Sequence, residues 1–354
     1  MKLLIRGDAN KFIATGHIMR CLSLADAVKA DGGEVRFVCA SEDPRKLIHD
    51  RGYEVDVMDT DYADMISELP GFKNVIEEFN PDVILCDSYY VSDEYFNKIK
   101  DFYKGKIAYM DDYSDHAFPV DVLINYNAYG KASDYEPLYM KAGYALPKMI
   151  MGPFYAPLRK EFLNPPKHSF SGKYEVLLST GGADATHMAV AMLERFNRLV
   201  SEDKLTDVNL NILVGAFSED KDAIMDKSVM HPGRVSIYSN ITDMPTFLSK
   251  FDLAVSAAGS TTYELCCMKV PTVLFCTADN QKKIHDIFDE NGLLMTAGYA
   301  DKELGKVLDT IFEKISDLTT HPETLLKYSE SAGSVTDGKG ALKLCRELEK
   351  IVSE

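Results

Sequence analysis

The amino-acid sequence predicts an α/β protein of two Rossmann-like domains facing across a cleft, with a C-terminal closing helix. Three observations carry that expectation. Short apolar runs alternate with segments of helical period through nearly the whole chain, the pattern of parallel sheets covered by helices. The alternation lapses once, over 151–173, where Pro153, Pro157, Pro165 and Pro166 cluster ahead of Gly172. At 354 residues, the chain also exceeds the roughly 250–300 residues over which one core keeps growing. The expected division is 1–155 for the first domain, 156–173 for the linker, 174–332 for the second domain and 333–354 for the closing helix.

The elements follow in order. Residues 2–6 form a strand because Leu3-Leu4-Ile5 is a continuous apolar run with no helical spacing. From Gly16 the period changes: Ile18, Cys21, Leu22, Ala25 and Val28 share one helical face, and Gly32-Gly33 ends the helix. Strands are expected at 34–39, 53–57, 82–86, 106–110 and 121–124, with helices at 43–51, 62–79 (interrupted by Pro70-Gly71) and 92–103. The second half repeats the scheme, with strands at 174–179, 208–214, 234–238, 252–256, 272–276 and 293–296. Its helices are expected at 184–200, 219–228, 242–250, 260–268, 281–291 and 301–316, and Leu342, Leu344, Cys345, Leu348 and Ile351 mark the closing helix.

A net charge of −16 and a pI near 5.0 argue against nucleic-acid or anionic-membrane partners, which need a basic footprint. No apolar stretch approaches a membrane span, and the first six residues are too short for a signal peptide. The seven cysteines make no C-x-x-C pair. Cys21, Cys39, Cys86, Cys266 and Cys276 lie in apolar runs, as reduced core residues of a cytoplasmic protein do.

Three strand–loop–helix junctions carry the chemistry. The first holds Arg6, Asp8, Gly16, His17 and Arg20. A helix start offers free N–H groups and a positive dipole end to an anion, and an imidazole there can take a proton from water near neutral pH. Asp8 can orient His17 or bind a sugar hydroxyl or amide, and Arg20 can pair with Asp8 or a phosphate. The plain reading is a surface histidine at a helix start. The second junction is Ser179-Thr180-Gly181-Gly182-Ala183-Asp184, where paired glycines admit a ligand to the backbone or simply make a tight turn capped by Asp184. In the third, Gly259, Ser260 and Thr261 supply donors for a diphosphate, and the Glu264 carboxylate can accept both hydroxyls of a ribose. Alternatively Ser260 caps the helix and Glu264 is a solvated charge. Ile241, after another strand, is placed to hold a base. The acidic turn Asp111-Asp112-Tyr113-Ser114-Asp115-His116 reads as a turn rather than a metal site, so neither metal nor cofactor is expected. No P-loop, H-E-x-x-H, G-x-S-x-G or G-x-G-x-x-G signature supports another chemistry.

These residues resemble a known family. Arg6-x-Asp8, Gly16-His17-x-x-Arg20 and Leu24-Ala25 are similar to the opening motif of the UDP-2,4-diacetamido-2,4,6-trideoxy-β-L-altropyranose hydrolases of pseudaminic acid biosynthesis, the PseG type. The similarity continues through Ile84-x-x-Asp87-x-Tyr89, Asp111-Asp112, Tyr155-Ala156-x-x-Arg159-x-Glu161-Phe162, Gly181-Gly182-x-Asp184 and Asn280-Gln281. Its most specific stretch is Asn125-x-Asn127-Ala128-Tyr129-x-Lys131-Ala132-Ser133-Asp134-Tyr135. The resemblance covers about residues 1–300 and implies a glycosyltransferase-B architecture like that of the MurG transferase. It also implies His17 as catalytic base, Tyr89 and Asn280 at the sugar and Glu264 at the uridine ribose. The family pattern has Gly where this chain has Ala14, which predicts a different loop conformation before Gly16, and the tail beyond about 300 is longer than in compact members.

The expected activity is hydrolysis of a UDP-linked 2,4-diacetamido-2,4,6-trideoxy hexose to UDP and free sugar, with inversion at the anomeric carbon. The partners expected are the UDP-sugar and UDP alone, on a monomer or weak homodimer. The alternatives are a glycosyltransferase of the same fold and a non-catalytic nucleotide-sugar-binding protein.

Overall fold

The computed structural model describes every residue except 11, 12, 14, 169–171, 216 and 354, so the expectation for Ala14 lies outside the described residues. The chain divides into two compact units, 1–160 with 338–354, and 161–337.

The first unit contains β1 (Lys2–Gly7), α1 (Gly16–Ala30), β2 (Glu34–Cys39), α2 (Arg45–Asp50), β3 (Glu54–Val57), α3 (Leu69–Phe79) and β4 (Val83–Asp87). It continues with α4 (Asp93–Phe102), β5 (Lys106–Met110), β6 (Val122–Asn125), α5 (Ala132–Ala142) and β7 (Lys148–Met151). Its seven strands are all parallel, in the order β3-β2-β1-β4-β5-β6-β7. Leu3, Leu4 and Ile5 are wholly buried, as are Val83, Ile84 and Leu85 on the neighbouring strand. That is why these strands are apolar throughout rather than alternating. Pro70 and Gly71 do not interrupt a helix. Pro70 lies in the first turn of α3, where its missing N–H costs nothing. The helix Gly340–Ser353 returns to this unit and packs on α1; a Cβ at Gly340 would fall 2.1 Å from the Ala156 carbonyl oxygen.

The second unit contains β8 (Tyr174–Ser179), α6 (Met188–Ser201), β9 (Val208–Leu213), α7 (Lys221–Ser228), β10 (Val235–Tyr238), α8 (Met244–Leu248) and β11 (Leu253–Ala257). Then come α9 (Thr261–Cys267), β12 (Thr272–Cys276), α10 (Lys282–Glu290), β13 (Met295–Tyr299), α11 (Ala300–Thr320) and α12 (Pro322–Gly333). Its six parallel strands run β10-β9-β8-β11-β12-β13. Both sheets therefore share one winding. Connections leave the first strand of each unit in opposite directions, which puts a topological switch point at the carboxyl ends of β1 and β4, and of β8 and β11. Among the described residues, no helix is long and apolar enough to cross a membrane.

Candidate active site

The first switch point holds His17. It occupies the second position of α1, buried to 6% exposure, with its ring edge-on to Tyr89 at 4.6 Å between centroids. Its Nδ1 lies 2.5 Å from Oδ1 of Asp87, the last residue of β4, whose Cα pairs with Gly7 of β1. At that distance a proton must lie between imidazole nitrogen and carboxylate, so Nδ1 carries it and the lone pair of the neutral ring sits on Nε2. Nε2 has no hydrogen-bond partner among the described residues.

Asp87 is itself held by Arg20, one turn along α1. Arg20 Nη2 donates to Oδ1 at 2.5 Å and Nε to Oδ2 at 2.6 Å. Burial alone would raise the Asp87 carboxyl, but Arg20 and His17 outweigh it and hold that carboxyl well below the ordinary range. The other arm of Arg20 donates to Asp112 (3.0 Å) and to the Tyr126 hydroxyl (2.9 Å). Asp112 also accepts from Tyr89 and from Asn127, both at 2.9 Å. Burial and the Asp112 charge push the Tyr89 phenol well above its usual value, so it stays protonated and donating.

Three expectations are corrected here. Asp8 does not orient His17, because its carboxylate accepts from Arg6 at 2.5 Å and from the Ala40 amide at 2.7 Å. Arg6 is wholly buried and also bound to Glu68 through Nε and Nη2, so the structure gives it no surface for a substrate. Likewise Arg20 pairs with Asp87 and Asp112, not with Asp8, and its donors are taken up within the protein. Gly16 is exposed, with nothing within 4 Å of where a Cβ would stand. Asp87 and Asp112, which hold the base in place, are absent from the expected site. The available signals were an aspartate ending the apolar run Val-Ile-Leu-Cys and the motif positions Ile84-x-x-Asp87-x-Tyr89 and Asp111-Asp112.

The stretch Asn125–Tyr135 forms the scaffold behind these groups. Asn125 Nδ2 donates to the Tyr135 hydroxyl (2.9 Å), which donates to Asp111 (2.5 Å), and Tyr129 donates to the Asp112 carbonyl (2.6 Å). Gly130 has no room for a side chain, since a Cβ would lie 2.7 Å from the Asn125 carbonyl oxygen. The Asp111 and Asp112 carboxylates are thus engaged by protein donors: Asp111 accepts from the amides of Tyr113 and Ser114 as well.

The second unit brings its two loops to its own switch point. Gly181 has φ +82°, and the Gly181-Gly182 turn packs on Gly215, where a Cβ would fall 2.2 Å from the Gly181 oxygen. The expected helix start at 184 is corrected: α6 begins at Met188, and Asp184 accepts from the amides of Met188 and Ala189, both at 2.9 Å. A carboxylate already occupies the anion position of that helix, which leaves the Gly181 and Gly182 amides as the donors of this loop. At the other loop the Gly259 amide is spent on the Ala257 carbonyl (2.8 Å). Ser260 makes no capping bond through its side chain, and the Ser260 and Thr261 amides have no main-chain acceptor among the described residues. Glu264 is half-buried in the first turn of α9. Ile241 is half-buried after β10, and Asn280 is exposed in a single turn after β12.

No protein-family model matches the chain. It is 24% identical over 338 residues to an uncharacterized protein of Methanocaldococcus jannaschii, covering 90% of this chain and 66% of that one. It thus spans slightly less than two thirds of that relative's length. It is 25% identical over 289 residues to the UDP-2,4-diacetamido-2,4,6-trideoxy-β-L-altropyranose hydrolase of Campylobacter jejuni, covering 80% of this chain and 94% of the hydrolase. The crystal structure of Acinetobacter baumannii MurG matches with a TM-score of 0.71 over 99% of each chain, at 12% identity. The fold is therefore of the glycosyltransferase-B type: two parallel-sheet Rossmann-like units with additional C-terminal helices.

Proposed function

We propose that the protein processes nucleotide sugars and, specifically, hydrolyses a UDP-linked 2,4-diacetamido-2,4,6-trideoxy hexose to UDP and free sugar. The observation that carries this reading is the Arg20–Asp87–His17 arrangement, which engages Nδ1 and leaves Nε2 without a protein partner among the described residues at the switch point of the first unit. In this reading Nε2 takes a proton from water while the water oxygen attacks the anomeric carbon from the face opposite UDP. The C1–O bond to the β-phosphate breaks with inversion, and its electron pair leaves on UDP. UDP is a good leaving group, so the Gly181, Gly182, Ser260 and Thr261 amides suffice to stabilise the departing charge without a dedicated acid. That separates the reaction from ordinary glycoside hydrolysis, which uses a carboxylic acid for its poorer leaving group. Glu264 takes the ribose hydroxyls, Ile241 the base, and Tyr89 and Asn280 the sugar. The Campylobacter hydrolase, similar over most of its length, supports this choice of substrate.

A glycosyltransferase of the same fold is the second reading, favoured by the MurG-like architecture. Incubation with the UDP-sugar alone in ¹⁸O-water separates the two. Hydrolysis at carbon gives labelled free sugar and unlabelled UDP. No turnover without an acceptor would favour a transferase, and label in UDP would place attack at phosphorus.

A further inference from the structure

Beside His17 the first unit exposes a strip of tyrosines. Tyr89 packs on His17, and Tyr113 packs on Tyr89 with ring centroids 4.9 Å apart. Tyr90, the next residue along the chain, stands edge-on to Tyr62 at 5.2 Å. Tyr113 is 38% exposed and Tyr90 is 42% exposed, although Tyr89, which packs on Tyr113, is half-buried. Burial first, then Asp112 and Asp115, raise the Tyr113 phenol, and Tyr90 lies near enough to add to them.

The polar groups that pack behind Tyr89 are already committed. The Tyr89 hydroxyl is spent on Asp112, the Asp112 carboxylate on Arg20 and Asn127, and Asp87 on Arg20 and His17. A sugar carrying a hydroxyl at every carbon needs a partner for each hydroxyl that loses its water. A sugar whose hydroxyls are replaced by methyl and acetamido groups needs apolar contact instead, and aromatic rings supply it. The geometry points to Tyr113, with Tyr90 and Tyr62, as an apolar platform that selects methyl-bearing deoxy-acetamido sugars over fully hydroxylated ones. This assignment rests on the nucleotide-sugar reading above and adds to it the residues that choose the sugar.

The test compares wild type, Tyr113→Ala, Tyr113→Phe and Tyr90→Ala on UDP-2,4-diacetamido-2,4,6-trideoxy hexose and on the fully hydroxylated UDP-glucose. Loss of a single methyl-sized contact changes discrimination by about ten-fold or more. Tyr113→Ala should lower kcat/KM for the trideoxy substrate by about ten-fold, through KM, and leave the hydroxylated one within about three-fold. Tyr113→Phe should retain the preference. An unchanged ratio in both alanine variants overturns the assignment. Saturation-transfer NMR of the free trideoxy sugar in the presence of UDP gives a readout independent of turnover. Methyl saturation in wild type that fades in Tyr113→Ala supports the platform even if no hydrolysis occurs, in which case the hydrolase reading alone fails. No methyl saturation in wild type overturns the platform. Should Tyr113→Ala not fold, Tyr90→Ala and Tyr62→Ala carry the same comparison.

Discussion

Replacing Asp87 by Asn changes one charge and almost no volume, and its consequences follow from four donors. In the wild type, His17 Nδ1 and Arg20 Nη2 share Oδ1, while Arg20 Nε and the Cys21 thiol use Oδ2. Asn offers a single acceptor oxygen. If Arg20 takes it, the amide NH₂ faces His17 Nδ1 and pins the proton on Nε2, the tautomer that cannot accept a proton from water. An Asp→Asn change behind the histidine of a serine-hydrolase triad costs about 10⁴-fold in kcat for that reason, and general-base loss typically costs about 10²–10⁴-fold. The expected loss here is therefore about 10²–10⁴-fold in kcat, or about 3–5 kcal/mol of transition-state stabilisation. UDP affinity by calorimetry should stay within a few-fold. Arg20 keeps Asp112 but loses its closer partner, so unfolding free energy should fall by about 3 kcal/mol, the lower end for a broken buried pair. The sign with pH is fixed by the direction of the Asp87 shift. Its folded pKa lies below the unfolded value of about 3.9, so its stabilisation is present above that value and fades as pH falls through the folded pKa. The stability gap between wild type and Asp87→Asn should accordingly be widest above about pH 5 and close toward acid. Steady-state UDP release with thermal unfolding from pH 2 to 7 measures all of this. A folded Asp87→Asn protein with kcat within three-fold of wild type would refute the tautomer argument.

His17→Asn should lower kcat by about 10²–10⁴-fold with UDP binding within a few-fold of wild type; near-normal turnover removes His17 as the base. Glu264→Ala should leave a folded protein with weaker UDP binding and a higher KM, because about 1.5–3 kcal/mol is lost for each charged hydrogen bond to the ribose. Unchanged UDP affinity by calorimetry would make Glu264 a solvated charge. Exhaustive EDTA treatment should leave turnover intact, since Asp111 and Asp112 are engaged by Arg20, tyrosines, Asn127 and backbone amides; activity lost and restored by Mg²⁺ or Mn²⁺ would point to a metal bound elsewhere or after rearrangement of that turn.

The fold was legible because apolar runs and helical periods are local signals, and each sheet needs only those plus right-handed crossovers. His17 was legible for the same reason, as Gly16-His17 opens a helix directly after a strand and loop. Its partner was not. Asp87 lies 70 residues away in sequence, and it reaches His17 only because β4 crosses over to pair with β1 on the side opposite β2. Asp8 looked the better partner by sequence distance. Arg6 and Asp8 are two residues apart at the end of one strand, however, so their side chains share a face and pair with each other. Glu68 then completes the buried charge balance around Arg6. The same logic separates the two loops of the second unit. Asp184 looked like an ordinary cap at the start of a helix, yet it reaches forward to amides four and five residues on, and so withdraws the α6 terminus from anion binding. Ser260 leaves its helix start uncapped. Of two similar strand–glycine–helix junctions, the one after β11 leaves the Ser260 and Thr261 amides without a main-chain acceptor among the described residues, and in the one after β8 Asp184 takes the first two amides of the helix. Which donors remain is set by what the neighbouring carboxylates have already taken, and that depends on side-chain reach in three dimensions.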